Sequence, residues 1–304
     1  MNQKEHHDPY KDFKSGMVAI LGAPNVGKST LLNRMLGQKI SITSKKPQTT
    51  RNRILGVVDR PNAQLIFLDT PGIHKAGKLL NVRIVDIALA TITDADLILI
   101  MMDAAAPNSE AEQYLIEKLK AHPTPAILAL NKIDLIAKPD LLAQIDDWAK
   151  TYAFQAIIPI SAQKDLQVST LVTAMVDALP CGPPLYPPGS LTDLSERFIA
   201  AEMIREKVFR LTGEEIPYAA AVTIDSFKEE KQGRLIRIEA VIHVERDSQK
   251  GIVIGKAGHK LKEIGEAARK EIQRMVGCKV FLKLFVRVQK NWSKDAKALQ
   301  RFGY

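Results

Sequence analysis

The chain is 304 residues long, 46% hydrophobic and 25% charged, with 43 Lys/Arg against 34 Asp/Glu and a formal net charge of +9. This length and composition support two globular domains and exclude a disordered, collagen-like or disulfide-stapled chain. No apolar run nears the roughly 20 residues of a membrane span, and two widely separated cysteines, Cys181 and Cys278, point to a reducing, cytosolic compartment.

Taken in order, residues 1–14 are polar, lack the apolar stretch of a secretory signal and read as a loose tail. Met17–Leu21 reads as a buried strand and Ser29–Leu36 as a helix. The polar stretch from Gly37 to Arg51 reads as a mobile loop. Arg53–Val58 and Gln64–Leu68 flank the turn-rich Asp59-Arg-Pro-Asn62 and form an expected antiparallel hairpin. A helix follows over Lys78–Thr91. Strands at Ala95–Met102, Pro125–Leu130 and Ile157–Ile160 then alternate with helices at Ser109–Ala121, Asp140–Tyr152 and Leu166–Leu179. That alternation predicts a mainly parallel sheet with helices on both faces. Pro180-Cys-Gly-Pro-Pro-Leu-Tyr-Pro-Pro-Gly189 can neither continue a helix nor sit in a sheet centre, so it reads as a semi-rigid linker. The expected division is a tail (1–14), a first domain (15–180), a linker (181–191) and a second domain (192–304).

The first domain's chemistry starts at Gly22-Ala23-Pro24-Asn25-Val26-Gly27-Lys28-Ser29, a match to G-x-x-x-x-G-K-[ST] between a strand and a helix. Here backbone N–H groups up to Thr30 would cradle phosphates, Lys28 would reach the β- and γ-phosphates, and Ser29 would offer its hydroxyl to Mg²⁺. Asp69-Thr70-Pro71-Gly72 ends the third strand. Asp69 would reach Mg²⁺ through water, Gly72 would give its N–H to the γ-phosphate, and Ile73 follows directly. One of Thr49 and Thr50, with Thr50 preferred, would close over Mg²⁺ while the γ-phosphate is present.

The base is chosen at Asn131-Lys132-Ile133-Asp134, after the strand ending at Leu130. The Asp134 carboxylate would accept from guanine N1–H and the 2-amino group, donors that adenine lacks. Asn131 would bond the other base edge, the Lys132 stem would lie along the ring, and Ser161-Ala162 would offer a backbone donor to guanine O6. Ile73 stands where Ras-like enzymes carry a water-orienting Gln, so no side-chain base is evident and slow intrinsic hydrolysis of GTP to GDP is expected. Catalysis then falls to Lys28, Gly72 and Mg²⁺.

From Lys231 onward the chain carries 18 Lys/Arg against 7 Asp/Glu, which favours nucleic acid, or second an anionic membrane surface. The second part reads as a helix (Leu194–Leu211), strands at Tyr218–Asp225 and Leu235–Val244, a helix to Met275, a strand at Cys278–Val288 and a short helix at Ser293–Leu299. Between an apolar stretch (Ile252–Ile254) and the Lys-rich helix lies Gly255-Lys256-Ala257-Gly258. It fits the G-x-x-G loop of a KH type II domain, an α+β module whose glycines let the backbone approach RNA phosphates. Ile254 and Lys260 flank it.

The nucleotide motifs, in this order, resemble the translation-factor-related GTPases. The wording of Gly22–Asn33, Gln48–Arg51, Asp69–His74, Ile204–Lys207 and Glu215–Tyr218 is similar to bacterial Era-type GTPases over nearly the whole chain. That resemblance implies binding of small-subunit ribosomal RNA, assistance to its processing and to small ribosomal subunit assembly, and some peripheral inner-membrane association. It also implies a K⁺ ion near Asn25 beside the phosphates. Two rival readings fit the same residues: an RNA chaperone with a structural nucleotide site, and a membrane-surface signalling GTPase.

Overall fold

The computed structural model describes residues 10–43, 53–70, 72, 90–107, 109–213, 216 and 220–302. It divides into two compact units. Described residues up to Gly37 and from Arg53 to Asp193 make the first, and Gln38–Thr43 joins the residues from Leu194 onward in the second. The expected helix at Lys78–Thr91 lies outside the described residues except for its last two positions, which are helical.

The first unit is built on six strands: β1 (Lys14–Gly22), β2 (Ile54–Arg60), β3 (Ala63–Asp69), β4 (Leu97–Asp103), β5 (Ala126–Asn131) and β6 (Ala156–Pro159). Their order is β2-β3-β1-β4-β5-β6. Only the β2–β3 hairpin, closed by Pro61-Asn62, is antiparallel. Helices α1 (Lys28–Leu36), α2 (Ser109–Lys120), α3 (Lys138–Thr151) and α4 (Val168–Ala178) follow β1, β4, β5 and β6.

The apolar runs explain the layering. Every residue of β4 and β5 is buried, a pattern stable only when both faces of a parallel sheet are covered. On one face Ile98, Ile100, Met102, Leu128 and Leu130 pack with Leu115, Ile116 and Leu119 of α2 and, at the margin, Ile145 and Trp148 of α3.

The Pro-rich segment is no free linker. Gln64 Oε1 accepts the N–H groups of Leu185 (2.7 Å) and Tyr186 (2.8 Å). The edge strand β2 donates from Val57 N to Leu191 O at 2.9 Å, and Thr192 Oγ1 donates to Leu55 O at 2.6 Å. Prolines leave this segment few donors of its own, so strand and side-chain groups of the first unit satisfy it, and the segment in turn covers an open sheet edge.

The second unit contains α5 (Glu196–Leu211), β7 (Ala221–Glu230), β8 (Leu235–Val244), α6 (Asp247–Ile254), α7 (His259–Val276), β9 (Lys279–Val288) and α8 (Ala296–Arg301). β7 pairs antiparallel with β8, and β8 parallel with β9 over ten residue pairs. The parallel pair requires a crossover, supplied by α6 and α7. The apolar stretch Ile252–Ile254 is the last turn of α6, and Gln249 Oε1 accepts the N–H groups of Glu245 (2.9 Å) and Arg246 (3.0 Å) at its start. β7 also outruns its expected end at Asp225, crossing a bulge between Ile224 and Ser226. The Arg197 guanidinium donates to the carbonyls of Ile224 and Asp225 there.

Helix α5 buries a charge network. Glu206, fully buried, pairs with Lys39 and with Arg210 at 2.5 Å. Lys39 also meets Glu271 of α7 at 2.9 Å, and Lys207 pairs with the same carboxylate. Burial alone would push the Glu271 carboxyl up, but its bonds from Lys207 and Lys39 outweigh this and hold it below its ordinary 4.5. Its stabilising contribution is therefore complete above 4.5 and is lost as pH falls through the lowered value. Urea unfolding read by the buried Trp292 should show a weaker second unit at about pH 3 than at neutral pH. Glu271→Gln should shrink that difference, and an unchanged difference would contradict the account.

Candidate functional site

β1 lies between β3 and β4, so the sheet reverses its winding direction at β1, and the crevice beyond the strands' carboxyl ends opens there. The candidate residues gather at those ends. Ile20 is in register with Asp69, Gly22 with Met101, and Asp103 with Asn131.

The loop Gly22–Ser29 turns on residues in left-handed conformations, Asn25 (φ 66°) and Gly27 (φ 105°). Gly27 caps α1, whose N-terminus faces out of the loop. A Cβ on Gly27 would stand 2.3 Å from Asn131 Nδ2, so only glycine fits. Ala23 and Val26 are buried, Pro24 and Thr30 half-buried, and Asn25 exposed. Lys28 is buried, its Nζ donating to Gly22 O (2.9 Å) and Ala23 O (3.0 Å). Burial pulls its pKa from 10.5 to about 8, against the opposing pull of Asp69. Ser29 Oγ donates to Asp69 Oδ2 at 2.8 Å, bringing the two expected Mg²⁺ residues together. Thr70 Oγ1 donates to Ile20 O at 2.7 Å, and a Cβ on Gly72 would stand 2.7 Å from Pro24 N. Asp69 and Gly72 thus both lie against the phosphate loop. Pro71, Ile73, Thr49 and Thr50 lie outside the described residues.

On the base-binding side the expected residues are tied to one another. Asn131 is a brace: its Nδ2 donates to Val26 O at 2.7 Å, and its Oδ1 accepts from Ala162 N at 2.9 Å. Ser161 N donates to Leu166 O at 3.1 Å. The segment Ser161–Ala162, where one backbone donor to guanine O6 is expected, thus has both its N–H groups bonded within the protein in this structure, and Ser161 forms a bridge with Leu166. Lys132 sits in a left-handed conformation beside Ile133 and pairs with Asp103. Asp134 lies exposed in the short helical turn Ile133–Leu135. Asp103, which also accepts the N–H groups of Ala105 (3.1 Å) and Ala106 (3.2 Å), was missed in the sequence. Its only signal is its place at the end of β4.

In the second unit, Gly255 (φ 72°), Ala257 (φ 52°) and Gly258 (φ 78°) make a left-handed turn between α6 and α7. A Cβ on Gly255 would meet Lys260 Cβ at 2.6 Å. Lys256 is exposed, Ile254 half-buried, and Lys260 pairs with Glu263 at 2.7 Å.

A family described as "50S ribosome-binding GTPase" matches residues 17–132, and one described as "KH domain" matches residues 215–293. The chain is similar to GTPase Era of Geotalea uraniireducens, 53% identical over 97% of this chain and 99% of that protein. It is 54% identical to GTPase Era of Geobacter metallireducens, over 96% and 98%. The chain belongs to the Era family of GTPases. A solved Aquifex aeolicus Era bound to GDP·AlF4⁻ superposes with a TM-score of 0.92 at 42% identity, covering 96% of this chain and 99% of that one. An Era complex with MgGDPNP and nucleotides 1506–1542 of 16S ribosomal RNA gives 0.92 at 43% identity, with the same coverage.

As in any GTPase, the Era-family site needs a cation and hard oxygen donors for it. Ser29 and Asp69, a hydroxyl and a buried carboxylate 2.8 Å apart, fit Mg²⁺. A phosphate beside Lys28 would restore its proton, so binding takes up H⁺ above pH 8. Guanine nucleotide affinity should therefore fall as pH rises from about 8 toward 10.5, up to ten-fold per unit, measured by calorimetry in buffers of different ionisation heat. Gly72→Ala, which forces the loop off Pro24, should slow hydrolysis more than ten-fold while GDP binding persists, measured by single-turnover phosphate release.

Proposed function

We propose that this GTPase is a nucleotide-controlled RNA-binding switch acting on 16S ribosomal RNA during small ribosomal subunit assembly. The observation that carries the catalytic half is the Ser29–Asp69 bond beside buried Lys28 at the point where the sheet changes direction. The RNA half draws on the Gly255–Gly258 turn and on the solved Era complex with 16S RNA.

In this reading Gly22–Thr30 wraps the phosphates, and Lys28 leaves Gly22 O and Ala23 O for the β- and γ-oxygens. Ser29, Asp69 and Thr50 hold Mg²⁺, which supplies charge neutralisation at the transferring phosphoryl group. Gly72 donates to the γ-phosphate, and apolar Ile73 leaves the attacking water without a side-chain base, so turnover is slow. The Era resemblance adds K⁺ at exposed Asn25 in place of an arginine finger, and turnover should be several-fold faster in K⁺ than in Na⁺. Asp134 reads guanine. Asp134→Ala should weaken GTP binding roughly 100-fold or more and leave ATP binding weak, since two charge-assisted hydrogen bonds are lost.

Ile254, Lys256, Lys260 and the backbone of Gly255–Gly258 hold RNA. GTP would order the loops 37–51 and 69–77. The first residues of the former, Gln38–Thr43, are held in the second unit, Lys39 on Glu206 and Glu271 and Thr43 O on Arg210 at 3.0 Å. Ordering that loop would pull on the second unit's own ion network. Affinity for a 16S 3′-end RNA at fixed salt should thus differ between GDP and a GTP analogue, and equal affinities would sink the coupling. No helix among the described residues is long and apolar enough to cross a membrane. Peripheral inner-membrane association rests on the resemblance alone.

A further inference from the structure

We infer that the outer face of the β7-β8-β9 sheet is a second RNA-contacting surface, taking unpaired bases by stacking on Phe281 and Phe285. This rests on the RNA-binding reading above and adds a surface away from the Gly255–Gly258 turn.

The face follows from strand alternation. In β9 the buried Val280 faces the helices with its alternates, while Lys279, Phe281, Lys283, Phe285 and Arg287 are the solvent-side positions. Phe281 is 46% and Phe285 43% exposed, unusual for phenylalanines on an open sheet face. At its other end the same face is covered: Trp292, Leu299 and Phe302 of the C-terminal segment pack on Ala221, with the Phe302 ring 4.6 Å from that of His243. The C-terminal segment covers the apolar outer positions that it reaches and leaves these two rings partly open to solvent.

The charges framing the rings choose the occupant. The Arg237 guanidinium lies 4.5 Å over Phe281 and is held there by Glu230 at 2.8 Å; Lys283 Nζ lies 4.8 Å over Phe285. Glu239 is the acid opposite Lys283 in the β8–β9 register. No ion pair among the described residues engages Lys279, Lys283 or Arg287. Beside Phe285 a cleft of about 640 Å³ opens over Val241, with Lys250 and Arg287 at its walls alongside Asp225 and Asp247. Two rings about 13 Å apart, with cations between and beyond them, fit alternate bases and the intervening phosphates of a single strand. An apolar protein partner would need the cations neutralised.

The test uses the full chain, a short RNA that fills only the Gly255–Gly258 groove, and a longer 16S 3′-end RNA with single-stranded flanks. Phe281→Ala/Phe285→Ala should keep short-RNA affinity and lose roughly ten-fold or more on the longer one. Phe281→Leu/Phe285→Leu should lose as much, because apolar bulk remains but the stacking plane is gone. Unchanged Trp292 unfolding midpoints and GTP turnover control for folding. Equal long-RNA affinity overturns the inference and leaves the proposed function standing. If the parent chain binds neither RNA, that function falls with it. A change in sedimentation, or a loss of anionic-vesicle binding without loss of RNA binding, assigns the face to a second copy or to lipid and likewise overturns the inference.

Discussion

The nucleotide site depends on an ammonium group held where water does not reach it. Lys28 is buried, and it is tolerable there only because Gly22 O and Ala23 O accept from it while Asp69 lies near. That arrangement needs the backbone between Gly22 and Gly27 to curl back over the lysine, which in turn needs left-handed residues and the absence of a side chain at Gly27. A phosphate is the natural replacement for the two carbonyls. Because the lysine is already desolvated, little solvent reorganisation is left when the anion arrives.

Around that charge the first unit is braced by side chains that link one loop to another. Asn131 ties the phosphate loop to the segment at Ala162, and Arg34 of α1 reaches the same segment, donating to Gln163 O at 2.9 Å. Asp103 fixes Lys132 and the turn that follows β4. Two of these bonds, Asn131 to Val26 and Lys132 to Asp103, join loops that leave different strands. The sheet underneath makes this possible: its buried strands set the loop ends at fixed spacings, and the hydrogen bonds between loops complete the frame.

The second unit solves a different problem. Its parallel β8–β9 pair commits the chain to a helical crossover, and the tight turn at Gly255 and Gly258 is where that crossover reverses direction. The same turn presents Lys256 at the surface. Helix α5 buries charged residues, Glu202, Arg205, Glu206 and Lys207, among apolar ones such as Ile199, Met203, Ile204 and Val208. It is stable there because Glu202 and Arg205 pair with each other, and Glu206 and Lys207 find partners on Arg210, α7 and the Gln38–Thr43 segment.

Residue types and spacing alone determined much of this. The phosphate loop, the Asp69–Gly72 segment and the Asn131–Asp134 motif are short-range patterns whose backbone demands are written into Gly, Pro and Asp. Strand and helix periods gave the alternating architecture of the first unit and most element positions. What only the tertiary structure decided is what distant groups do to one another. Asn131 and Ala162 satisfy each other, a pairing of residues 31 positions apart that no local pattern encodes. The Pro-rich segment binds an open sheet edge because Val57 and Leu55 present unpaired backbone groups there. Asp103, Glu206 and Glu271 look like ordinary surface acids in a sequence. Their roles come from the cations that folding brings beside them, since a buried charge is set by its neighbours in space and not in the chain.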